Sequence, residues 1–221
     1  MTLLAVVPLV ATGCGSSKSS ANTGSAATRT SSQPAKQGCT RVQAPAPRQN
    51  GGQKKPHVKL SRHKTYTVTV ETNCGQFAFK LDVKDSPNTT AAFVGLVRNG
   101  FFNGLTFHRI VPGFVIQGGD PTGSGAGGPG FRTIDPPPQH ADYSRGTVAM
   151  AKTQTEPAGA AGSQFFVVTG QNAQLPPDYA LLGKVTSGLS VVEEIGRLGN
   201  PADPNGTPTQ PIVMKKVTVT P

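Results

Sequence analysis

Residues 65–83 read TYTVTVETNCGQFAFKLDV, and this stretch narrows the fold more than any other. Tyr66, Val68 and Val70 alternate with polar residues, Asn73-Cys74-Gly75 makes a turn, and Phe77, Phe79 and Leu81 resume the alternation. A period of two on both sides of a glycine-containing turn predicts an antiparallel hairpin with one buried face. A sheet with such a face needs further strands or helices to cover it.

The rest of the sequence supplies them. Short apolar runs bounded by glycine and proline fall at 105–111, 114–118, 147–151, 164–168, 181–185 and 212–219. Between the hairpin and these runs, DSPNTTAAFVGLVRNG reads as a helix. Ser86 is placed to cap it, Pro87 suits its first position, and Gly100 suits its end. Ala92, Phe93, Leu96 and Val97 supply its apolar stripe, and GLSVVEEIGRLG (188–199) predicts a second amphipathic helix. Eight short strands and two helices predict a mainly β fold: a closed eight-stranded antiparallel barrel capped by two α-helices.

Residues 1–63 have a different texture. They hold nine of the 21 Lys and Arg residues and none of the 11 acids. Residues 64–221 are left with 12 basic and 11 acidic residues, a net of +1. The overall charge of +10 therefore belongs to the front segment, and no basic stripe marks the domain as a nucleic-acid binder. Residues 15–63 are rich in Ser, Thr, Ala, Gly, Gln and Pro, a composition that predicts a disordered, basic, flexible linker. The segment suits the neighbourhood of anionic lipid or cell-wall polymer, or serves only as a solvated spacer.

Ahead of the linker, LLAVVPLVAT (3–12) is too short to span a bilayer and reads as the apolar part of an export signal. Residues 1–14 thus form a signal peptide whose end resembles a bacterial lipobox, with small residues preceding Cys14. Ala11 stands where leucine is preferred, and no Lys or Arg precedes the apolar run. The expectations are lipid attachment at Cys14 and an exported, extracytoplasmic chain held at the membrane by that anchor. The alternative is an unlipidated signal peptide. With Cys14 so used, Cys39 and Cys74 remain, and an oxidising compartment favours a disulfide between them over two free thiols.

The runs FHRIVPGFVIQGGD (107–120), GSQFFVVT (162–169) and LLGKVTSGLSVVEEI (181–195) together resemble the cyclophilin family of peptidyl-prolyl cis–trans isomerases. The likeness spans residues 64–221 in the family's order and spacing. It implies isomerisation of X–Pro bonds, no metal, no cofactor, and proline-containing unfolded or flexible polypeptides as partners of a monomer. It further implies that Arg109 sits at the rim of a groove. Phe114, Val115, Phe166 and Leu175 would form its proline pocket, and Gln117 and Gln164 would orient Arg109 and the peptide. Ala151 and Lys152 would offer main-chain groups, Gly125 would line the groove, and Tyr179 would stand where the family has a rim histidine. The catalytic set implied is Arg109, Phe114, Gln117 and Phe166. Gln174 takes the place of a tryptophan that contacts cyclosporin, which implies weak inhibition. Lys152 replaces an asparagine and is expected to add a charge to the rim.

The residue types suit that reaction. Rotating a peptide bond meets a barrier of about 18–20 kcal/mol, because resonance draws the nitrogen lone pair into the carbonyl. The twisted transition state returns that lone pair to nitrogen, where a fixed guanidinium can donate to it. Strand alternation places Phe107, Arg109 and Val111 on one face, with His108 and Ile110 on the other. His108 reads as a structural residue. GSGAGG (123–128) fits a dinucleotide fingerprint in letters only, since Pro129 and Pro136–Pro138 follow where a helix would be required. The competing functional class is a non-catalytic module that grips proline-containing segments without turning them over.

Overall fold

A computed structural model describes residues 38–221. Cys14 and the signal-peptide reading lie outside the described residues. Ten strands and two helices follow in the order β1 (Thr67–Thr72), β2 (Gly75–Leu81), α1 (Pro87–Arg98), β3 (Arg109–Val111), β4 (Val115–Gly118), β5 (Thr133–Ile134), β6 (Thr147–Met150), β7 (Ala160–Ala161), β8 (Phe165–Val168), β9 (Leu181–Ser187), α2 (Leu189–Gly196) and β10 (Met214–Thr220). Eight strands form one antiparallel sheet in the order β10-β1-β2-β9-β6-β8-β4-β3, and β5 pairs with β7 apart from it. Each of the eight predicted runs contributes one strand of the large sheet. The two-residue pair β5–β7 carries no alternation and left no trace in the sequence pattern.

The expected closed barrel is corrected to an open, strongly curled sheet, with β3 and β10 as its two edges. The edges meet through residues 103–107, where Thr106 bridges Val213, the N–H groups of Gly104, Phe107 and Met214 donate to the carbonyls of Met214, Ile212 and Leu105, and Val217 N–H donates to Asn103 Oδ1. That stretch opens the predicted run at 105–111, so β3 is only three residues long. The alternation is corrected with it. Phe107 and Ile110 both lie in the core, because the ladder that imposes the period of two begins only at Arg109.

Inside the curl, Ile110, Ile116, Val167 and Val148 make one row across four strands, each fully buried. The row belongs to a core that also holds Phe77, Phe79, Phe93, Phe102, Phe107 and Phe165. Phe165 meets Phe93, Phe102 and Phe107 edge-on.

Helix α1 begins at Pro87 and closes with Gly100 at φ +68. There the N–H groups of Gly100 and Phe101 donate to the carbonyls of Val97 and Leu96, a left-handed helix stop suited to glycine. The predicted cap is corrected. Ser86 makes no side-chain capping bond. Instead Asp135, far along the chain, accepts from the Thr89 N–H at 2.6 Å and from Asn88 Nδ2 at 2.9 Å.

Residues 38–63, read from composition as flexible linker, lie along the domain as an extended strap. Cys39 is disulfide-bonded to Cys74 in the β1–β2 turn. Thr40 N–H donates to Asn73 O, and Arg48 donates to Phe101 O while its guanidinium lies over the Phe101 ring. Val58 and Leu60 pack on the core. The hold is mostly main-chain and covalent, and composition encodes neither.

Candidate active site

The register of three neighbouring strands builds the site. Residues directly opposite in antiparallel strands share a face. Arg109 on β3 faces Gln117 on β4, Gln117 faces Phe166 on β8, and Phe166 faces Ala149 on β6. This row points away from the core row of Ile110. Beside it, Val111, Val115 and Val168 form a parallel row. Val115, Ala149, Phe166 and Val168 join Tyr143 in a second apolar cluster, on which Phe114, Leu175 and Tyr179 pack. Pro112 and Gly113 turn the chain between β3 and β4, with Gly113 at φ +71, and so bring Phe114 round beside Val115.

Together these residues line a concavity of about 330 Å³. Its walls are Arg109, Phe114, Val115, Gln117, Ala151, Lys152, Phe166, Leu175 and Tyr179, joined by Thr153 and Gln154. The first nine are expected site residues, and the structure gathers them in one place. The other two expected residues, Gly125 and Gln164, line an adjoining cavity of about 100 Å³ that shares Gln117, Ala151 and Lys152. Gln174 is exposed, is not among the residues lining either cavity, and adopts φ +52.

Arg109 is half-buried in the wall of the main concavity. The three ion pairs among the described residues use Arg132, Arg145 and Lys152, so no carboxylate neutralises Arg109. The expectation that Gln117 and Gln164 orient Arg109 is corrected. Gln117 Nε2 donates to Gln164 Oε1 at 2.9 Å, and Gln164 Nε2 donates to the carbonyls of Gly125 and Gly127, each at 2.8 Å. The two amides thus hold each other and the glycine-rich loop, and Gln117 reaches Arg109 only as its cross-strand neighbour. Part of the main-chain offer is also taken, since Ala151 N–H donates to Gln164 O at 2.9 Å.

Lys152 overturns a second expectation. Its side chain is only 3% exposed, and Nζ lies 2.5 Å from Asp178 Oδ2. The same ammonium donates to the carbonyls of Thr153 and Glu156 and sits 5.6 Å from the Tyr179 ring centre. No free charge is added to the rim. Lys152 instead ties the 153–156 turn to the 178–179 turn. Tyr179 is fixed further by Tyr143, whose hydroxyl donates to Tyr179 O at 2.7 Å and accepts from Tyr179 N–H at 3.1 Å. Asp178 and Tyr143 are supporting residues that the motifs gave no reason to select.

Asp120 is a third. It is 1% exposed, yet it accepts from the N–H groups of Thr122, Gly125 and Gly127. Burial pushes its carboxyl pKa up, but these amide bonds and the Thr122 hydroxyl outweigh burial and hold it below the ordinary value. His108, beside Gly125, has both ring nitrogens buried without a partner among the described residues. Burial lowers its pKa against the pull of Asp120, which keeps the ring neutral at pH 7. Among the described residues no group of three His, Cys, Asp or Glu side chains is placed to hold a metal.

The family model described as cyclophilin-type peptidyl-prolyl cis–trans isomerase matches residues 67–219. A peptidyl-prolyl cis–trans isomerase of Helicobacter pylori is 41% identical over 138 residues, which cover 60% of this chain and 81% of that one. Peptidyl-prolyl cis–trans isomerase A of Mycobacterium tuberculosis is 34% identical over 172 residues, 70% of this chain and 92% of that one. A crystal structure of a cyclophilin-type isomerase from Cryptosporidium parvum superposes with a TM-score of 0.64 at 29% identity, over 72% of this chain and 99% of that one. A second structure of it, determined in the presence of the dipeptide Ala-Pro, gives 0.63 at 31% identity, over 70% and 99%.

Proposed function

The chain belongs to the cyclophilin-type peptidyl-prolyl cis–trans isomerases, and on that footing we propose that the row Arg109–Gln117–Phe166 is where it rotates X–Pro bonds. The observation that carries this is the placement of one un-neutralised guanidinium in the wall of a concavity that Phe114, Val115, Phe166 and Leu175 also line. The pocket binds the pyrrolidine ring by burying its apolar surface. The chain on the other side of the imide then turns. As the nitrogen becomes pyramidal, its lone pair emerges and Arg109 donates to it. That bond exists in the twisted state and not in either planar one, which is the condition for lowering a barrier. Nothing is protonated and no covalent intermediate forms. The Cryptosporidium relative studied with Ala-Pro supports a proline-containing peptide as the occupant of this groove.

Substituting Arg109→Ala is the test. Loss of one donor aimed at a transition state costs about 10²- to 10³-fold in turnover. Binding of the same X–Pro peptide should change little, because Phe114, Val115, Phe166 and Leu175 are untouched. A non-catalytic gripping module is the competing reading. It requires that the unaltered chain bind the peptide without speeding its isomerisation, and that result would end the proposal.

The same reading places the isomerase domain at residues 64–221 of a monomer that acts on exported or envelope polypeptides. It keeps residues 1–14 as an export signal with lipid on Cys14, which anchors the chain outside the cytoplasm. The Cys39–Cys74 disulfide supports an oxidising compartment. Mass spectrometry of the Cys14 peptide from membrane-extracted protein checks the anchor, and an unmodified Cys14 rejects it.

A further inference from the structure

The strap meets the domain at the loop that walls the groove. Over residues 48–53 it makes four hydrogen bonds to residues 121–129. Arg48 N–H donates to Pro121 O at 2.7 Å, Gly51 N–H to Gly128 O at 2.9 Å, and Gln53 N–H to Pro129 O at 2.9 Å. The fourth uses a side chain: Gly128 N–H donates to Asn50 Oδ1 at 2.9 Å. The two main chains touch at glycine. Gly130 has φ +96, and a Cβ there would stand 3.1 Å from Gly51 Cα.

The other side of this loop is the groove wall. Gln164 binds the carbonyls of Gly125 and Gly127 and in turn accepts from Gln117. A path of three hydrogen bonds and one peptide unit therefore runs from Asn50 through the Gly127–Gly128 peptide and the Gln164 side chain to Gln117, the cross-strand partner of Arg109. The segment 123–128 contains four glycines, so its main chain has little stiffness of its own. On the inside Asp120 and Gln164 fix it. On the outside the strap holds it through Asn50, Gly51 and Gln53.

We propose that residues 50–53 of the strap brace the groove's glycine wall from outside, with Asn50 as a positioning residue for that wall. The wall lines the smaller cavity beside the proline pocket, so the strap governs how the enzyme grips peptide lying beyond the X–Pro pair. Substrate preference for longer chains then depends on a segment outside the sheet. The inference rests on the isomerase reading above and deepens it.

The test uses the full chain and two X–Pro substrates, one of four residues and one of about ten, measured for unaltered protein, Asn50→Ala and Asn50→Asp. Asn50→Ala should raise KM for the long peptide about fivefold, the worth of one neutral hydrogen bond, while kcat and the short peptide are unchanged. Asn50→Asp keeps an acceptor for Gly128 N–H and should restore the long-peptide KM. A stability role alone would lower Tm and leave the ratio of the two KM values where it was, and that outcome overturns the inference. Should Asn50→Ala fail to fold, amide resonances of the unaltered chain answer the same question. The long peptide should shift Gly51 and Gln53 while the short one does not, and no shift with either rejects the strap's role. Absence of turnover on both peptides by the unaltered chain instead removes the isomerase reading itself.

Discussion

The groove face of β3, β4 and β8 and the strap of residues 38–63 rest on one core, but different forces hold them. The groove face is written in side chains. Alternation puts Ile110, Ile116 and Val167 inside and Arg109, Gln117 and Phe166 outside, and a register slip of one residue would exchange the two sets. The strap is written mainly in main chain: one disulfide, hydrogen bonds to loop carbonyls, and glycine backbones in close approach. Its few apolar contacts, Pro56, Val58 and Leu60, alternate with exposed Lys55, His57 and Lys59 over too short a run to stand out from a polar segment. Function sits where the side chains carry the pattern, and the strap reaches that site only through the loop it braces.

The largest effects should separate the two regions cleanly. Arg109→Ala removes turnover and leaves thermal stability nearly unchanged, since its guanidinium joins no ion pair among the described residues. Cys39→Ser with Cys74→Ser should do the reverse. Opening a link of sequence separation 35 costs about 2–4 kcal/mol, seen as a lower denaturant midpoint. Short-peptide turnover should survive, because no lining residue of the main concavity belongs to the strap. A disulfide-free chain as stable as the original would show that the strap adds nothing to the fold.

This contrast explains what could be read from the letters. The eight sheet strands, both helices and the cluster at Arg109 were legible because each rests on local period or on motifs within a few residues. The α1 cap was not, because Asp135 reaches Thr89 across 46 residues and Ser86 offered a nearer candidate. The sheet stays open because residues 104–107, apolar enough to extend β3, leave its ladder for a few bonds to residues 212–214, so β3 is left three residues long and does not pair along β10. Lys152 looked like a surface charge until the fold brought Asp178 beside it. The sequence shows which residues are chemically able to pair and is silent on which loops will meet.

A smaller effect tests the strap's packing. Gly95 lies within α1, where alanine is favoured over glycine by about 1 kcal/mol. A Cβ at Gly95 would, however, overlap Cβ and Cγ of Pro56 on the strap. Gly95→Ala should therefore destabilise the chain, with the clash costing about 1–3 kcal/mol against that gain. Adding Pro56→Gly should recover the loss in a double-mutant cycle. Additive changes would mean that Pro56 and Gly95 do not meet.

The smallest effect is a pH dependence that divides the loop between its two supports. Asp120 braces Gly125 and Gly127 from within, and its folded pKa lies below the ordinary carboxylate value. A depressed folded pKa means that the unfolded chain binds the proton first as pH falls. The stabilisation is thus complete above the unfolded value of about 3.8 and is lost as pH drops through the lower folded value. The strap side has no such dependence, because residues 38–63 contain no Asp or Glu and the bonds of Asn50, Gly51 and Gln53 are amide to carbonyl. As pH falls below about 3.8, amide exchange corrected for its intrinsic pH dependence should rise at Gly125 and Gly127 before it rises at Gly51 and Gln53. Glu156, also held below its ordinary value despite burial by bonds from Thr153 and Arg132, titrates nearby. Asp120→Asn separates the two carboxyls by abolishing the early rise at the glycines while leaving the Glu156 turn to titrate. Exchange that rises together at all four amides would mean that the wall and the strap release as one unit, and that the inner and outer braces are not independent.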